Sequence, residues 1–165
     1  MSGTSKQREH RIPMVLDWVT KYIALIPPNT LVLDLACGSG RNTRFLLDKG
    51  YSVVALDKDT SQLADISSKQ NLRKYKFDLE AGIKFPFHNQ EFSGVIVTNY
   101  LYRPLFENLI NSLSDGGVLI YQTFMIGNEA YGRPRNPKFL LKRNELSDVF
   151  DKKLDVIAFE QGYIE

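Results

Sequence analysis

The apolar residues of this chain alternate between two spacings from one end to the other. Short runs rich in Val, Ile and Leu have the length and composition of buried strands. Between them, apolar positions recur at three- and four-residue steps, as they do on one face of a helix. Strands are predicted at 31–35, 52–56, 73–77, 94–98, 118–124 and 154–160. Helices are predicted at 12–26, 41–48, 60–69, 104–113 and in a patch that ends near Phe150.

Strands and helices that alternate at these lengths predict parallel β–α–β units. Right-handed crossovers then restrict how those units connect. We therefore expect one α/β domain over residues 1–165, a doubly wound, mostly parallel, Rossmann-like sheet of six or seven strands flanked by helices. The polar residues 1–11 are expected to be mobile.

Composition narrows the class of protein. The chain is 43% hydrophobic and 24% charged, which is ordinary for a globular domain, and its net charge of +2 gives no strong attraction to nucleic acid or anionic lipid. No apolar run approaches the ~20 residues that a membrane span needs, and the polar start lacks a signal-peptide core. The single cysteine, Cys37, has no clustered Cys or His partners. We expect a cytoplasmic protein with no metal site and no membrane partner.

The turn after the first predicted strand is the most informative segment. Asp34 lies near the end of the strand, Gly38 and Gly40 follow, and a helical pattern begins at Arg41. Glycine allows positive φ and lets a ligand approach where a Cβ would block it. Open amides at a helix start favour an electron-rich group. The dinucleotide fingerprint is incomplete, since Thr43 stands at its third glycine, and no P-loop occurs. The turn therefore predicts a nucleotide-like cofactor, the alternative being an ordinary glycine-rich turn.

Two further acids follow the next predicted strands. Asp57 lies about 20 residues past the glycines, where a carboxylate can accept both ribose hydroxyls of an adenosine. Asp59 is a candidate N-cap for the helix near Thr60. Asp78 follows the third strand. The carboxyl ends of parallel strands meet at one edge, where ligands bind in open α/β folds. We expect these two acids and Asp34 at one site.

The spacing Asp34-x-x-x-Gly38-x-Gly40 resembles motif I of the class I S-adenosylmethionine-dependent methyltransferases. The Cys-Gly-x-Gly-Arg-Asn turn is similar to that of tellurite-resistance-type small-molecule methyltransferases over residues 31–59, and the wider resemblance covers 12–160. It implies S-adenosyl-L-methionine as cofactor and in-line displacement of its methyl group by an acceptor atom. In this family the acid after strand three meets the adenine amine, and the next residue lines the ring. The implied cofactor-binding residues are Asp34, Ala36, Cys37, Gly38, Gly40, Asn42, Asp57, Lys58, Asp78, Leu79 and Asn99.

The C-terminus departs from the resembled fold. That fold has a seventh, antiparallel strand between strands five and six, whereas this chain stops at Glu165, where the hairpin should turn back. Either the polypeptide is a fragment or the fold lacks this strand. A missing strand would leave the backbone of strand five unpaired. We expect an oligomer partner or a removed C-terminal segment to complete the sheet.

The acceptor side is less defined. In the resembled family the loop after strand four borders the transferring methyl group, which makes Asn99 and Tyr100 the candidate catalytic residues; the alternative is a turn cap and a core residue. Neither proline of the Asn/Asp-Pro-Pro-aromatic motif of base N-methyltransferases follows Asn99, and no general base is assigned. The long loop 125–137 and its basic continuation to 143 would hold an oxyanion or form a solvated rim. Candidate substrate-binding residues are Tyr102, Arg103, Glu129, Tyr131, Arg133 and Arg135.

Three functions remain open on the sequence. The first is methyl transfer to a small molecule, with nucleic acid not favoured as the partner. The second is an RNA or protein methyltransferase that holds its substrate with the basic segment 131–143. The third is a non-catalytic cofactor-binding or interaction subunit. A nicotinamide dehydrogenase is a distant fourth because the third fingerprint glycine is absent.

Overall fold

The computed structural model describes residues 17–163. Its helices are α1 (Asp17–Tyr22), α2 (Arg41–Asp48), α3 (Phe106–Ser112) and α4 (Glu145–Phe150). Its strands are β1 (Leu31–Leu35), β2 (Ser52–Asp57), β3 (Leu72–Lys76), β4 (Phe92–Thr98) and β5 (Leu113–Gln122). Short 3-10 turns cover Ile23–Leu25, Ser61–Ile66, Arg103–Leu105, Asn128–Ala130 and Pro137–Phe139.

The strands form one parallel sheet in the order β3-β2-β1-β4-β5. The chain therefore runs outward from β1 to β3, then crosses back to place β4 on the other side of β1. Asp34 pairs in register with Ala55 of β2 and Ile96 of β4, which puts it at the centre of the sheet. The reversal of direction between β1 and β4 is where α/β sheets of this kind open a crevice at their carboxyl edge.

Apolar residues cover both faces of the sheet, because successive side chains of a strand point to opposite sides. On one face Val32, Ile96 and Ile120 pack with α1 and α2. On the other face Leu33 and Val95 pack with α3 and α4. The two buried faces confirm the doubly wound α/β prediction.

Helix α1 lies against β5 and carries Trp18, the one tryptophan of the chain. The Trp18 ring is partly buried against the core and stands edge-on to Tyr22, with 4.6 Å between ring centroids. The predicted helix 12–26 is thus present from Asp17 as α1 and a 3-10 turn, while residues 12–16 and the segment 1–11 expected to be mobile lie outside the described residues.

The predicted strand 154–160 is wrong. Residues 155–160 have no regular structure, and the sheet of the described residues has five strands. Within the described range β5 pairs only with β4, and residues 155–160 do not join its free edge. Their apolar side chains stay at the surface, with Ile157 69% exposed.

The predicted helix 60–69 is replaced by the 3-10 turn Ser61–Ile66. The Ser67 hydroxyl donates to the carbonyl of Leu63 at 3.0 Å, and the Ser67 amide turns to Ala64 instead. Serine side chains that bond to nearby backbone in this way compete with a regular helix.

Within residues 17–163, no helix combines the length and the apolar character that crossing a membrane requires.

Candidate cofactor site

The turn between β1 and α2 is built from residues in the left-handed region. Ala36, Gly38 and Gly40 have φ of 55°, 54° and 85°. The Cys37 amide donates to the Leu56 carbonyl of β2 at 3.0 Å, and the Gly40 amide donates to Cys37 at 2.9 Å. The turn is therefore fixed to the end of β2, beside the second predicted acid.

The two glycines of this turn serve different purposes. A Cβ built on Gly40 would stand 2.1 Å from Cδ2 of the fully buried Leu63, so Gly40 is required by packing. A Cβ on Gly38 would meet nothing within 4 Å. The bare backbone at Gly38 thus faces open space at the carboxyl edge, where a ligand can approach it closely.

Asp57 lies directly against this open turn. Its Oδ2 accepts the Gly38 amide at 2.9 Å, and its Oδ1 accepts the Asp59 amide at 3.0 Å. A carboxylate offers about four lone-pair positions, so both oxygens keep capacity for further donors. Asp59 accepts from the Ser61 amide at 2.9 Å, which makes it a turn residue rather than a rival ligand.

Asp34 lies under the turn and not at its surface. It is 1% exposed and accepts the Thr43 hydroxyl at 2.6 Å, which joins the end of β1 to α2. Burial raises the pKa of Asp34 to about 7, with the Thr43 hydrogen bonds acting against that rise. Its direct structural effect is to orient the start of α2.

Cys37 and Lys58 complete the immediate surroundings of the turn. Cys37 is buried, and burial raises the pKa of its thiol well above the usual range, so it stays protonated as an apolar lining residue. Lys58 is exposed next to Asp57.

Asp78 and Leu79 follow β3 at the same edge of the sheet. Asp78 is exposed and its Oδ1 accepts the Glu80 amide at 2.9 Å. Leu79 packs partly buried against the apolar face that also contains Tyr100 and Tyr102. The charge of Asp78 acts on the Tyr100 phenol, so the acid after β3 lies near the loop after β4.

Tyr100 stays a protonated phenol. Burial raises its pKa above the usual range, followed by the nearby charges of Glu80, Tyr102 and Asp78. The Tyr121 hydroxyl donates to the Tyr100 carbonyl at 2.9 Å, which fixes the backbone of this loop to β5. Tyr100 is therefore suited to packing or donating, and not to acting as a base.

Asn99 adopts φ of 55°, a conformation that Asn tolerates better than most residues. Its amide donates to the Gln122 carbonyl at 2.9 Å, and its side chain is exposed at the carboxyl edge. Asn99 is therefore a turn residue with an exposed side chain, and its catalytic role stays a prediction.

Sequence reasoning missed two polar residues beside this loop. Asn42, which it did select, donates from Nδ2 to the Thr98 hydroxyl at 2.8 Å, and Thr98 pairs in register with Gln122. Asn42 and Thr98 are 3% and 8% exposed. Polar residues that end strongly apolar strands were a usable signal for Thr98 and Gln122.

Two of the candidate substrate-binding residues are engaged within the chain. Arg103 forms an ion pair through Nε and Nη2 with Glu145 and donates to the carbonyls of Lys138 and Leu140. Tyr102 packs partly buried in the core. Arg103 therefore connects the loop after β4 to the end of the long loop.

The remaining candidates lie along the long loop. Glu129 turns back to accept the Gly127 amide at 2.7 Å, and Tyr131 is 73% exposed with its ring 5.0 Å from that of Tyr163. Arg133 and Arg135 are exposed and line an open groove with Asn136 and Phe139. The structure does not bring these residues against the glycine turn by any hydrogen bond within the described range.

The fold is shared with several solved structures. A Mesorhizobium loti S-adenosylmethionine-dependent methyltransferase is 21% identical, with a TM-score of 0.55, and the match covers 64% of this chain and 52% of that one. A proposed methyltransferase from an antibiotic biosynthesis pathway of Anabaena variabilis is 15% identical, with a TM-score of 0.66 and coverage of 87% and 62%. Burkholderia thailandensis 1,6-didemethyltoxoflavin-N1-methyltransferase, solved with its substrate and S-adenosylhomocysteine, is 16% identical, with a TM-score of 0.61 and coverage of 82% and 64%.

This chain spans between about half and two thirds of the length of these three proteins. At such identities the likeness shows a common fold. No curated protein matches the sequence. The sequence profile of the methyltransferase domain matches residues 32–117, a little more than half of the 165 residues, and it includes the glycine turn, Asp57 and Asp78. The chain therefore belongs to the methyltransferase domain family.

Proposed function

We propose that this chain binds S-adenosyl-L-methionine and transfers its methyl group to a small-molecule acceptor. The observation that carries the proposal is the open backbone of Gly38 with the Asp57 carboxylate held against it at 2.9 Å. Family membership supports methyl transfer, and one protein of similar fold is a 1,6-didemethyltoxoflavin-N1-methyltransferase. Within the family we assign the chain to the small-molecule, tellurite-resistance-like group on its Cys37–Asn42 turn.

The residues present suit this cofactor. Asp57 would accept the ribose hydroxyls, and Asp78 with Leu79 would meet the adenine, because these residues lie after β2 and β3. Ala36, Gly38 and Gly40 keep the backbone open for the methionine part, with Cys37 and Asn42 beneath it. Asp34 would act indirectly through Thr43, and Lys58 would lie at the rim.

The bound cofactor supplies a methyl group that its positive sulfur already activates. The protein then has to place the acceptor in line and keep water out, which can contribute ~7–11 kcal/mol when the geometry is near attack. Asn99 would orient the acceptor, and Tyr100 would present its ring or its hydroxyl to the sulfonium. Neither residue is a base, which agrees with a reaction that needs no strong proton acceptor.

Calorimetry with S-adenosylmethionine, S-adenosylhomocysteine and NAD tests the cofactor. We expect micromolar binding of the two sulfur compounds and no measurable binding of NAD. Tight NAD binding without affinity for the sulfur compounds would contradict the proposal. Release of S-adenosylhomocysteine on a panel of small acceptors then tests turnover, and binding without any turnover would favour a non-catalytic subunit.

A second function is supported by the exposed Arg133 and Arg135. Within residues 17–163 neither side chain forms an ion pair, and both line the open groove of the long loop. Such arginines suit phosphate or carboxylate groups of an RNA or protein substrate. This alternative requires affinity for a tRNA or acidic peptide that falls steeply with salt; flat salt dependence would exclude it.

A further inference from the structure

Two buried side-chain oxygens lack a hydrogen-bond donor within residues 17–163. They are Oδ1 of Asn42 and Oε1 of Gln122. Asn42 is 3% exposed, so water does not reach its side chain freely. A buried acceptor without a donor costs about 1–3 kcal/mol. Asn42 bears this cost in a buried side chain, and Gln122, whose side chain is partly buried, adds a second unpartnered oxygen beside it, which together point to a ligand that supplies the missing donors.

The two oxygens belong to one cluster. Asn42 Nδ2 donates to the Thr98 hydroxyl at 2.8 Å, and Thr98 pairs with Gln122 across β4 and β5. Residues that pair in register point to the same side of a sheet, so the side chains of Thr98 and Gln122 lie on one face. We call Asn42, Thr98 and Gln122 the amide cluster.

The position of the amide cluster separates it from the adenosine side of the crevice. The sheet order β3-β2-β1-β4-β5 puts Asp57 and Asp78 on one side of the glycine turn and the ends of β4 and β5 on the other. The Gln122 carbonyl also accepts the Asn99 amide at 2.9 Å. The cluster is therefore joined to the loop that would border the acceptor, if the proposed function holds.

The chemistry of the cluster is neutral and accepting. Both unpartnered atoms are amide carbonyl oxygens, and none of the three side chains carries a charge. An NH2 group brings two hydrogens, whereas a hydroxyl brings one. Neutral carbonyl oxygens accept N–H donors without the desolvation cost of a carboxylate.

We propose that the Thr98 and Gln122 part of the amide cluster is the acceptor subsite, next to Asn42 beneath the methionine part, and that it selects a neutral substrate that presents N–H donors beside the methylated atom. This inference rests on the proposed function, since the adenosine is assigned to the opposite side of the turn. Gln122 is the specificity-determining residue, because it has no other role in the described hydrogen-bond network except through its backbone.

The test uses protein saturated with S-adenosylhomocysteine and matched fragment pairs. Benzamide is compared with N,N-dimethylbenzamide, and benzimidazole with 1-methylbenzimidazole, by ligand-observed NMR. The N–H member of each pair is expected to bind at least fivefold tighter to the wild type. The preference should fall below twofold in Gln122→Met and stay in the matched control Gln70→Met, whose residue is exposed on the surface.

A second variant keeps the test decisive if Gln122→Met does not fold. Gln122→Glu preserves the length of the side chain and adds a negative charge. The ratio of its affinity for the cation benzamidine to its affinity for benzamide should be at least fivefold higher than in the wild type. No N–H preference in the wild type, or a preference unchanged in both variants, would overturn the acceptor subsite.

The cofactor's own ammonium group is a second possible donor, and the affinities for S-adenosylhomocysteine and methylthioadenosine distinguish it. If Gln122→Met binds each of these two compounds as tightly as the wild type does, the acceptor assignment is supported. A fivefold loss for S-adenosylhomocysteine alone would assign the cluster to the cofactor and overturn the inference. Failure of the wild type to bind S-adenosylhomocysteine at all would remove the proposed function, whereas the other negative results remove only the subsite.

Discussion

The guanidinium of Arg103 forms a two-point ion pair with the carboxylate of Glu145, 42 residues further along the chain. The other Glu145 contact is the Lys142 amide, which donates at 2.7 Å. The hydrogen bonds from Arg103 are the main reason that the pKa of Glu145 lies below its usual value, and the Lys142 amide and the charge of Arg103 lower it further against the effect of burial. Arg103 follows the loop after β4, so this pair holds the end of the long loop against that segment.

Arg103→Lys should lower the free energy of unfolding by about 1–2 kcal/mol, because lysine cannot reproduce the fork that reaches Glu145, Lys138 and Leu140 together. The side chain is 36% exposed, which keeps the expected loss below that of a fully buried pair. Urea unfolding measures the loss. Arg135→Lys is the matched control and should change stability by less than about 0.5 kcal/mol; equal losses in both variants would contradict the anchoring role.

Alanine at the two glycines of the cofactor turn should separate folding from binding. Gly40→Ala should lower the thermal midpoint strongly, since its Cβ meets Leu63 at 2.1 Å and φ is 85°. Gly38→Ala carries only the backbone strain, about 1–2 kcal/mol, because its Cβ points into open space. It should nevertheless weaken S-adenosylhomocysteine binding at least tenfold. Unchanged affinity in a folded Gly38→Ala protein would mean that no ligand passes this backbone.

Asp57→Ala should weaken cofactor binding by about 1–3 kcal/mol through loss of charge-assisted hydrogen bonds to the ribose. Calorimetry with S-adenosylhomocysteine measures the change. Asp59→Ala is the adjacent control: its carboxylate accepts the Ser61 amide, and the backbone amide that supports Asp57 is retained. A similar weakening in both variants would show that net charge at this edge acts, and not a contact of Asp57.

The stability of the protein should depend on pH through Asp34. Its folded pKa of about 7 lies above the ordinary value of 3.8, so between these values the folded state binds more protons than the unfolded state. The contribution of Asp34 to stability therefore falls as pH rises through this window and levels off above 7, by a few kcal/mol in order of magnitude.

Asp34→Asn removes this titration and keeps an oxygen for the Thr43 hydroxyl. The free energy of unfolding of the wild type minus that of Asp34→Asn, measured in urea from pH 4.5 to 7.5, should decrease with pH. The carboxyls with lowered pKa, including Asp65 and Glu145, are present in both proteins and cancel in the difference. A difference that is independent of pH would show that Asp34 is ionised throughout.

The sequence predicted the turn after β1 and the acid after β2, because short-range patterns determine both. The run that ends near Asp34, the glycines after it and the acid at 57 are close in sequence, and their positions follow from strand and turn rules. The hydrogen bond from Gly38 to Asp57 confirms that the first two strand ends meet. The direct cofactor roles of the individual residues stay predictions.

Contacts between distant segments were beyond such rules. The ion-pair partner of Arg103 is Glu145, 42 residues away, and the two meet because the long loop folds back on the segment after β4. Residues 154–160 have the composition of a strand, but strand formation depends on a neighbouring ladder that composition does not report. The unpartnered oxygens of Asn42 and Gln122 likewise depend on how three elements meet.

The place of Trp18 on α1 gives the protein a built-in optical probe. It is the one indole of the chain and lies partly buried where α1 covers β5, the strand that ends in Gln122. Its emission wavelength will report whether α1 stays packed against β5 when a compound binds in the crevice. Ligand titrations can thus be followed by fluorescence without attaching a dye. Movement of α1 that exposes Trp18 to water would shift its emission maximum to longer wavelength.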